Sequence, residues 1–379
     1  LDLARKESGF VMRSPVQGEV ELEPGNRRIE AIVLAEGELV LDAKAADLGL
    51  EPPTGKITLR SSAESDEAVV EETVEIGRVG KSGKLAVRRV ADGMVLELDP
   101  DAARTLEADS TLIRGLRLLD FSGSDFRSLE VRGRSVKQTI HREASGQIVL
   151  DVPAGKSADT ALTGDAIHEL GRLTADRWVS DVEEPSFGLA SPELTVEFSF
   201  ATGDAGVKDR VLTVGASTAG GAFAKLAGEP GVFVMPRRAI DALDTWFLDR
   251  TVFTVTPDVA TKVEIERQGK KLTLERQGDG FVRAAGVELS PARVAEISDT
   301  LIALRAEAAV ALGAAKPAQG FDKPEVTVRV ERTGPGPKSF RIGVGDAWRG
   351  QSIHYVRADG VDATYVMAKT KAKVLIDAF

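Results

Sequence analysis

The strongest constraint on the fold is an internal repeat, because the same short blocks recur in the same order along the chain. The first block is a glycine that lies four residues before a proline, with an apolar residue directly after the glycine. It occurs three times, at Gly49 and Pro53, Gly188 and Pro192, and Gly320 and Pro324. The prolines are separated by 139 residues (192 − 53) and 132 residues (324 − 192). Self-similarity at a fixed period predicts a chain of repeated structural units, here of roughly 130 residues each.

Further blocks follow each copy in one order. A short apolar strand that ends on glycine occurs at residues 74–77, 212–215 and 340–343, and a second strand occurs at 95–98, 231–235 and 364–367. Each second strand leads into a helix that starts near Pro100, Pro236 or Lys369. The opening residues 1–5 and 9–11 match residues 272–276 and 280–282. We therefore expect three modules, at residues 1–120, 126–255 and 260–379, with the chain beginning inside the first module, after its opening strand.

The third module shows the pattern most clearly. Residues 262–284 alternate apolar and charged side chains at period 2, which is typical of a hairpin with one solvated face. Ser290 followed by Pro291 predicts a helix N-cap with proline at the first helical position. The apolar residues of this helix recur at helical spacing and are expected to face a sheet: Val294, Ile297, Leu301 and Leu304. A closing helix is predicted over residues 369–379.

The second module shows the same pattern of helices and strands. Its first helix is predicted to start near Thr163, with Ile167, Leu170 and Leu173 facing inward. Its last helix is predicted to carry Ile240, Leu243 and Phe247 on its inner face, and Trp246 also fits that face. Strand runs interrupted by helices at only two points indicate an α+β fold with a mainly antiparallel sheet. Stacking such modules end to end predicts an elongated arrangement.

Composition excludes several functional classes. Fifty-nine acidic residues against 49 basic ones give a net charge of −10, so a phosphate backbone is repelled and no nucleic-acid partner is expected. The absence of cysteine excludes disulfides, thiolate metal sites and cysteine nucleophiles. No apolar run approaches the roughly 20 residues of a spanning helix. The chain opens at Leu1 without a signal peptide, and we interpret it as a fragment of a longer protein.

A search for catalytic and binding motifs leaves no site residue. Residues 80–82 and 155–157 read Gly-Lys-Ser, but both lack the earlier glycine of a phosphate-binding loop and are interpreted as surface turns. The three histidines, His141, His168 and His354, fall at non-equivalent places of the repeat, in a hairpin, a helix and a meander strand. No pair of them has the spacing of a zinc motif.

An acidic stretch offers the best cation candidate: Glu64, Asp66, Glu67, Glu71, Glu72 and Glu75. It lacks the Asp-x-Asp-x-Asp-Gly pattern that surrounds a calcium ion with oxygens, so we interpret it as a solvated loop. The glycines that recur between modules, such as Gly49, Gly188 and Gly320, are interpreted as fold requirements at positive φ or at a tight approach. Catalytic residues would more often be unique to one module. We therefore predict a protein that is not an enzyme, with no catalytic, cofactor-binding or metal-binding residue.

The Gly-Leu-x-x-Pro turn, the strand that ends on glycine and the apolar strand that follows together resemble a bacterial repeat family, domain of unknown function 4340. Residues 187–192 form the most characteristic piece of that resemblance, which extends over nearly the whole chain. It implies an extracytoplasmic protein, on the periplasmic side, anchored in the membrane through an N-terminal segment absent from this chain. It also implies genes beside ABC transporters of the gliding-motility type. The family supplies no catalytic residues.

Three functional hypotheses remain open. The first is a non-catalytic accessory or binding protein that contacts ABC transporter membrane subunits, with an envelope polymer or a lipid as further candidate partners. The second is a structural or adhesive envelope scaffold without a transporter partner. The third is a carboxylate-based hydrolase, which needs two carboxylates about 5 to 9 Å apart in one cleft. The strand at residues 232–235 alternates poorly and is expected to be buried on both faces.

Overall fold

The computed structural model describes residues 1–6, 9–15, 17–20, 22–41, 43–61, 70–106, 109–203, 206–334, 337–348 and 351–379. The chain forms two compact units. The first unit comprises Leu1–Leu116, Arg177–Val182 and Glu229–Gly231. The second unit comprises Arg117–Asp176, Glu183–Gly228 and Val232–Phe379. Helices and antiparallel strands mix in both units, so the predicted α+β class with mainly antiparallel pairing is confirmed.

The first unit contains two sheets. Its strands are β1 (Asp2–Lys6), β2 (Gly9–Ser14), β3 (Gly18–Val20), β4 (Glu38–Leu39), β5 (Gly55–Ser61), β6 (Val70–Val79), β7 (Leu85–Arg89) and β8 (Val95–Leu98). Its helices are α1 (Leu22–Val33) and α2 (Pro100–Thr105). The strand orders are β1-β2-β3 and β4-β8-β7-β6-β5. Helix α1 packs over both sheets, because Ile29 joins the core cluster of the first and Ile32 joins that of the second.

The second unit begins with a seven-strand antiparallel arrangement. Its elements are β9 (Phe126–Gly133), β10 (Lys137–Arg142), β11 (Ile148–Val152), α3 (Thr160–Gly171), β13 (Leu194–Ala201), β14 (Val207–Thr218), β15 (Gly221–Leu226), β16 (Val232–Pro236) and α4 (Arg237–Leu243); β12 (Arg177–Ser180) belongs to the first unit. The seven strands run in the order β11-β10-β9-β13-β14-β15-β16. Residues 232–235 have no exposed surface, which confirms that this strand is buried on both faces.

A second sheet of eight strands completes this unit. Its elements are β17 (Ala260–Arg267), β18 (Lys270–Gln277), β19 (Gly280–Gly286), α5 (Pro291–Ile302), β20 (Ala308–Leu312), β21 (Val326–Arg332), β22 (Ser339–Trp348), β23 (Gln351–Ala358), β24 (Ala363–Met367) and α6 (Lys369–Ile376). The strand order is β19-β18-β17-β21-β22-β23-β24-β20. Each strand can be matched with the strand eight numbers later, so that β9 matches β17 and β10 matches β18. The first seven strands of this order then match the strand order of the preceding sheet.

Local chemistry explains the hairpin and the helix of this last sheet. Gln268 and Gly269 join β17 to β18 with φ of 49° and 80°, the pair of positive values that a two-residue hairpin turn needs. The side chain of Ser290 accepts a hydrogen bond from the N–H of Arg293, so the predicted cap is confirmed. The apolar face of α5 is buried as expected, and Leu304 is buried just beyond the helix end.

A pair of glycines holds the turn before each meander in place. Gly49, Gly188 and Gly320 have φ of 69°, 70° and 71°, so the expected left-handed conformation is confirmed. A second glycine packs against each turn, and its missing side chain makes room for a carbonyl oxygen. A Cβ added at Gly77, Gly215 or Gly343 would lie 2.3, 2.1 or 2.2 Å from the carbonyl oxygen of Leu48, Phe187 or Gln319. Only glycine fits at both positions.

Two helix boundaries differ from the sequence prediction. Helix α3 begins at Thr160, three residues before Thr163, because the Asp159 carboxylate accepts hydrogen bonds from the N–H groups of Ala161 and Leu162. Leu173 is buried but follows this helix. Helix α4 ends at Leu243, so Trp246 and Phe247 are buried beyond the helix and not on its face. Asp244 ends it with a φ and ψ of −87° and 48°, which are not helical.

Candidate binding site

An apolar cleft lies in the first unit, between the end of α1 and the sheet that begins with β5. It encloses about 160 Å³. Ile32 and Val33 of α1 form one wall, and Ile57 and Leu59 of β5 with Val74 of β6 form the other. These apolar side chains come from alternate positions of the strands, which place them on one face of the sheet. The cleft can therefore receive an apolar group.

Several large apolar side chains in and after α1 are exposed, and one of them lines the cleft. Val33 and Leu34, at the end of α1, are 62% and 73% exposed, and Leu39 and Leu41 are 54% and 73% exposed. Val33 also lines the cleft itself. An exposed apolar side chain that lines a cavity, as Val33 does, differs from an isolated surface leucine, which is ordinary. This arrangement is typical of a binding surface.

The charges around the cleft are already paired. Glu72 and Arg89 line the cleft, and Arg89 forms an ion pair with Asp92 in the β7–β8 turn. Hydrogen bonds from the Arg89 guanidinium, and then from the N–H of Met94, lower the pKa of Asp92 to about 2. On β6 the pKa of Glu75 is lowered by hydrogen bonds from Arg88 and Lys56. Asp92 and Glu75 are therefore ionised ion-pair partners, and a lowered pKa is the opposite of what a general acid needs.

The described part of the acidic stretch is a strand and not the solvated loop predicted from sequence. Glu64, Asp66 and Glu67 lie outside the described residues, whereas Glu71, Glu72 and Glu75 belong to β6. Cross-strand arginines explain the difference, because the side chain of Arg60 donates to Glu71 at 2.8 Å and that of Arg88 donates to Glu75. Opposite charges on neighbouring strands stabilise a sheet, so these glutamates are compatible with a strand.

The three histidines lie in three different elements and do not form one site. His141 lies in β10 and its Nδ1 is 2.7 Å from the Asp151 carboxylate. His168 lies in α3, and His354 lies in β23 with its Nδ1 buried and without a hydrogen-bond partner. Burial lowers the pKa of His354, which keeps its ring neutral at physiological pH. Within the described ranges, no group of three or more histidines and carboxylates is placed to hold a metal ion.

The remaining sequence motifs also have structural roles. Residues 80–82 and 155–157 lie in turns or beside them, with exposed or half-exposed side chains. Trp178 stacks under the guanidinium of Arg114, 3.2 Å from its ring centroid, and donates to the carbonyl oxygen of Gly115. The side chain of Trp348 lies outside the described part of the structure. Trp178 therefore offers no open stacking surface for a ligand.

Sequence reasoning missed a buried charge cluster in the second unit. Asp159 caps α3, and its carboxylate is only 2% exposed. Two arginines bind it, both at 2.8 Å: Arg250 through Nε and Arg305 through Nη2. Burial raises the pKa of Asp159, but hydrogen bonds from the two arginines and from the Leu162 N–H outweigh burial and hold that pKa below its ordinary value. The arginines lie 91 and 146 residues along the chain, so no local motif marks the cluster.

The Asp159 cluster has no free acceptor for a substrate. Two backbone N–H groups and two guanidinium groups already occupy its two oxygens. A carboxylate with every lone-pair direction used is a structural centre rather than a reactive one. We therefore identify the apolar cleft of the first unit as the candidate functional site, and the Asp159 cluster as a connection within the second unit.

No helix among the described residues has the length and hydropathy that crossing a membrane requires. Residues 182–324 match the family model described as Domain of unknown function (DUF4340), which supports the resemblance of the sequence motifs over that part of the chain. The match covers 143 residues (324 − 182 + 1), close to the spacing of the recurring prolines. Neither the comparison with curated proteins nor the comparison with solved structures returned a match.

Proposed function

With the DUF4340 match of residues 182–324 as the premise, we propose that this chain is a non-catalytic binding protein of the bacterial envelope, built from repeats of one module. Its first unit receives an apolar group of a membrane-associated partner in the cleft between α1 and β5. The family resemblance points to a membrane subunit of an ABC transporter as that partner, on the periplasmic side. The cleft, with its apolar walls and the exposed Val33 in one of them, is the observation that carries this function.

Three observations support the repeat. The strand order of the second unit recurs from β9–β16 to β17–β24. The same two-glycine arrangement occurs three times. One glycine lies in the turn before β5, β13 or β21, and the other lies on the strand that follows. The family match is as long as one repeat, although it begins and ends in the middle of the proposed modules. A repeated fold with a different surface in each copy is suited to binding, because each module can carry its own contacts.

The ion pairs support binding over catalysis. Among the described carboxylates that sequence analysis singled out, Glu71 and Glu75 pair with arginine or lysine, and Glu72 lines the cleft together with Arg89. A glycosidase-type mechanism needs a second carboxylate in the same cleft, and Glu72 is the one acidic residue among the described residues that line it. A cleft with mostly apolar walls instead favours the binding of an apolar group by burial.

Copurification from membranes tests the partner. A tagged protein is expressed in its native host, membranes are solubilised in mild detergent, and the bound proteins are identified by mass spectrometry. We expect ABC permease and ATPase subunits in near-stoichiometric amounts. Recovery of the tagged protein alone would contradict the transporter proposal and favour an envelope scaffold.

A matched pair of variants tests the cleft itself. Val33→Glu places a charge in the cleft wall, whereas Val207→Glu places one at an equally exposed position of β14 in the second unit (62% and 60% exposed). Burying the new charge against a partner is costly, so the Val33 variant should lose the partner while the Val207 variant keeps it. Equal retention of the partner by both variants would show that the cleft is not the binding surface.

A further inference from the structure

A pocket with a charged edge lies in the second unit, between α4 and the strands β13, β14 and β15. It encloses about 110 Å³. The apolar side chains that line it are buried or half-buried: Leu194, Val214, Ala222 and Ile240. The polar side chains that line it are exposed or half-exposed: Arg134, Glu193, Ser217, Arg237 and Asp244. An apolar interior with charged groups at its edge suits a small ligand that has an apolar body and a polar end.

The sheet that contains β21 has the same strand pairing at this place, so its residues can be matched with those of the pocket. Strand β13 lies between β9 and β14, and β21 lies between β17 and β22. Leu194, the first residue of β13, is opposite Gly133. Val326 is the first residue of β21, and continuing the register of β17 against β21 by one residue puts Arg267 opposite it. Arg267 therefore takes the place of Gly133.

A second difference between the two sheets lies on β15. Ala222 is opposite Met235 of β16, and His354 is opposite Met367 of β24. His354 therefore takes the place of Ala222. The sheet with the pocket thus has two small residues, Gly133 and Ala222, where the sheet of β21 has an arginine and a histidine.

The arginine of the β21 sheet shows what kind of group this place accepts. The side chain of Arg267 is 24% exposed. Its Nη1 donates to the carbonyl oxygen of Ile376, the last residue of α6, at 2.8 Å. Its Nη2 lies 3.5 Å from the carboxylate of Glu325. A guanidinium group on an alkyl stem therefore lies between a carboxylate and the end of a helix.

The pocket has matching acidic groups, but no side chain starts at the place of the arginine, because Gly133 stands there. Glu193 directly precedes β13, as Glu325 directly precedes β21, and it lines the pocket. Asp244 directly follows α4, near the place that Ile376 has in α6. A Cβ added at Gly133 would lie 2.6 Å from the Oδ1 of Asp244. Carboxylate oxygens are therefore present where the arginine of the other sheet has its acceptors.

The charged groups at the pocket favour a cation. Arg134 donates to Glu193 at 2.7 Å, and Arg237 donates to Asp241 at 3.2 Å. The side chains of both arginines are largely exposed, 75% and 65%, so each lies at the edge and not in the interior. Together with Asp244, these five residues carry two positive and three negative charges, a net charge of −1 (2 − 3). An excess of negative charge attracts a cation and repels an anion.

We propose that this pocket binds a small organic cation, with a guanidinium or primary ammonium group on a short alkyl stem. The stem lies on the apolar side chains of the pocket, and the cationic group donates hydrogen bonds to Glu193 and Asp244. Burial of the stem and the charge-assisted hydrogen bonds both contribute to binding. All the residues of this site belong to the second unit, whereas the apolar cleft belongs to the first. The inference therefore does not depend on the partner proposed for the cleft.

Titration of residues 1–379 with n-propylguanidinium tests the site, because this probe has the atoms of an arginine side chain. Binding is followed by NMR at the alanine methyl groups, among which that of Ala222 lines the pocket. We expect saturable binding with a roughly millimolar Kd and a shift of the Ala222 resonance. Neutral n-propylurea has nearly the same shape and should bind about tenfold more weakly, since it lacks the charge. Absence of saturable binding, or equal affinities for the two probes, would overturn the proposal.

Two substitutions locate the bound probe. Gly133→Arg fills the pocket from within, as Arg267 fills the matching place, and should abolish binding. Glu193→Gln should weaken binding about tenfold, because a hydrogen bond to a charged group is weakened. Glu197→Gln is the matched control, since Glu197 lies on the same strand, is similarly exposed (44% against 40%) and pairs with Arg132, but lies outside the residues that line the pocket. The glutamate pair decides the location if Gly133→Arg is too unstable to purify.

Three results of these variants would contradict the site. Wild-type affinity in Gly133→Arg would place the probe elsewhere, and so would equal losses in the two glutamate variants. The third concerns Arg267→Gly, which opens the matching space of the β21 sheet and should raise the number of bound probe molecules from one to two. An unchanged number would show that the place of Arg267 does not accept a free cation, which removes the basis of the proposal.

Discussion

The two long helices of the second unit begin in different ways, although each follows a run of three antiparallel strands. Helix α3 begins at Asp159, a buried carboxylate that binds two arginines from distant parts of the chain. Helix α5 begins at Ser290, an exposed residue whose hydroxyl accepts a hydrogen bond from the N–H of Arg293. Both side chains accept hydrogen bonds from N–H groups of the first helical turn. Asp159 also forms ion pairs with Arg250 after α4 and Arg305 after α5.

The difference shows how a capping position acquires a second structural role. Arg250 follows α4, and its Nη1 also donates to the carbonyl oxygen of Glu307 ahead of β20. Arg305 follows α5 and reaches the same carboxylate. One anion therefore connects three segments, from both sheets of the second unit. At Ser290 the proline at the next position and the hydroxyl suffice, since no distant partner has to be held.

The largest effect is expected from Asp159→Ala. The change removes the cap and leaves Arg250, whose side chain is 16% exposed, without its anion. Loss of one partner from a buried ion pair lowers the free energy of unfolding by about 3–5 kcal/mol. Urea denaturation measures the change, with Asp165→Ala on the exposed face of the same helix as control. Equal stabilities of the two variants would contradict the structural role of the cluster.

Arg250→Ala should cost more stability than Arg305→Ala. Both arginines bind Asp159, but the side chain of Arg305 is 42% exposed and solvent screens its charge. We expect losses of about 2 kcal/mol for Arg250 and about 1 kcal/mol or less for Arg305, from the usual strength of hydrogen bonds to charged groups. A double-mutant cycle with Asp159→Ala measures the coupling. The reverse order of losses would show that Arg305 is the main partner.

Ser290→Ala should lower the free energy of unfolding by about 1 kcal/mol, the usual effect of a lost N-cap. The same urea titration as for Asp159→Ala provides the comparison. A loss as large as that of the Asp159 variant would mean that the N-terminus of α5 has a partner of its own, and the contrast between the two helices would fail.

The smallest effect is a pH dependence that only α3 should show. The folded-state pKa of Asp159 lies below its ordinary value of 3.8, so its contribution is complete above that value and is lost as the pH falls toward the folded pKa. The stability difference between the wild type and Asp159→Asn should shrink by about 1 kcal/mol from pH 5 to pH 3. The difference between the wild type and Ser290→Ala should stay constant, because serine does not titrate. A constant difference for both pairs would show that the charge of Asp159 is unimportant.

Local patterns predicted the elements of this fold better than their boundaries. The alternation of residues 262–284 and the Ser290–Pro291 pair predicted the hairpin and the start of α5, because both are set by neighbouring residues. The start of α3 was wrong by three residues, since Thr163 and Asp159 are both good caps and tertiary contacts select between them. Likewise Glu71 and Glu75 resemble a solvated loop until the arginines on the neighbouring strands are known.

The candidate site was beyond sequence reasoning for a similar physical reason. Its walls are ordinary aliphatic residues such as Ile57 and Val74, which any sheet of this kind contains. What distinguishes them is incomplete burial, which depends on where α1 lies over the sheet and not on the residues themselves. The Asp159 cluster was missed because its partners are 91 and 146 residues away. The sequence shows which residues are charged, but pairing over such distances depends on the complete fold.

The paired glycines have a consequence for how this architecture can be recognised in diverged sequences. Aliphatic core residues replace one another at modest cost, so the apolar pattern of a module can drift until little identity remains. A position where an added Cβ would meet a carbonyl oxygen at 2.1 Å admits no such drift. Two glycines, one in the turn and one on the facing strand, should therefore outlast the rest of the pattern. Distant copies of this module would then be better identified by the atoms they must lack than by the side chains they share.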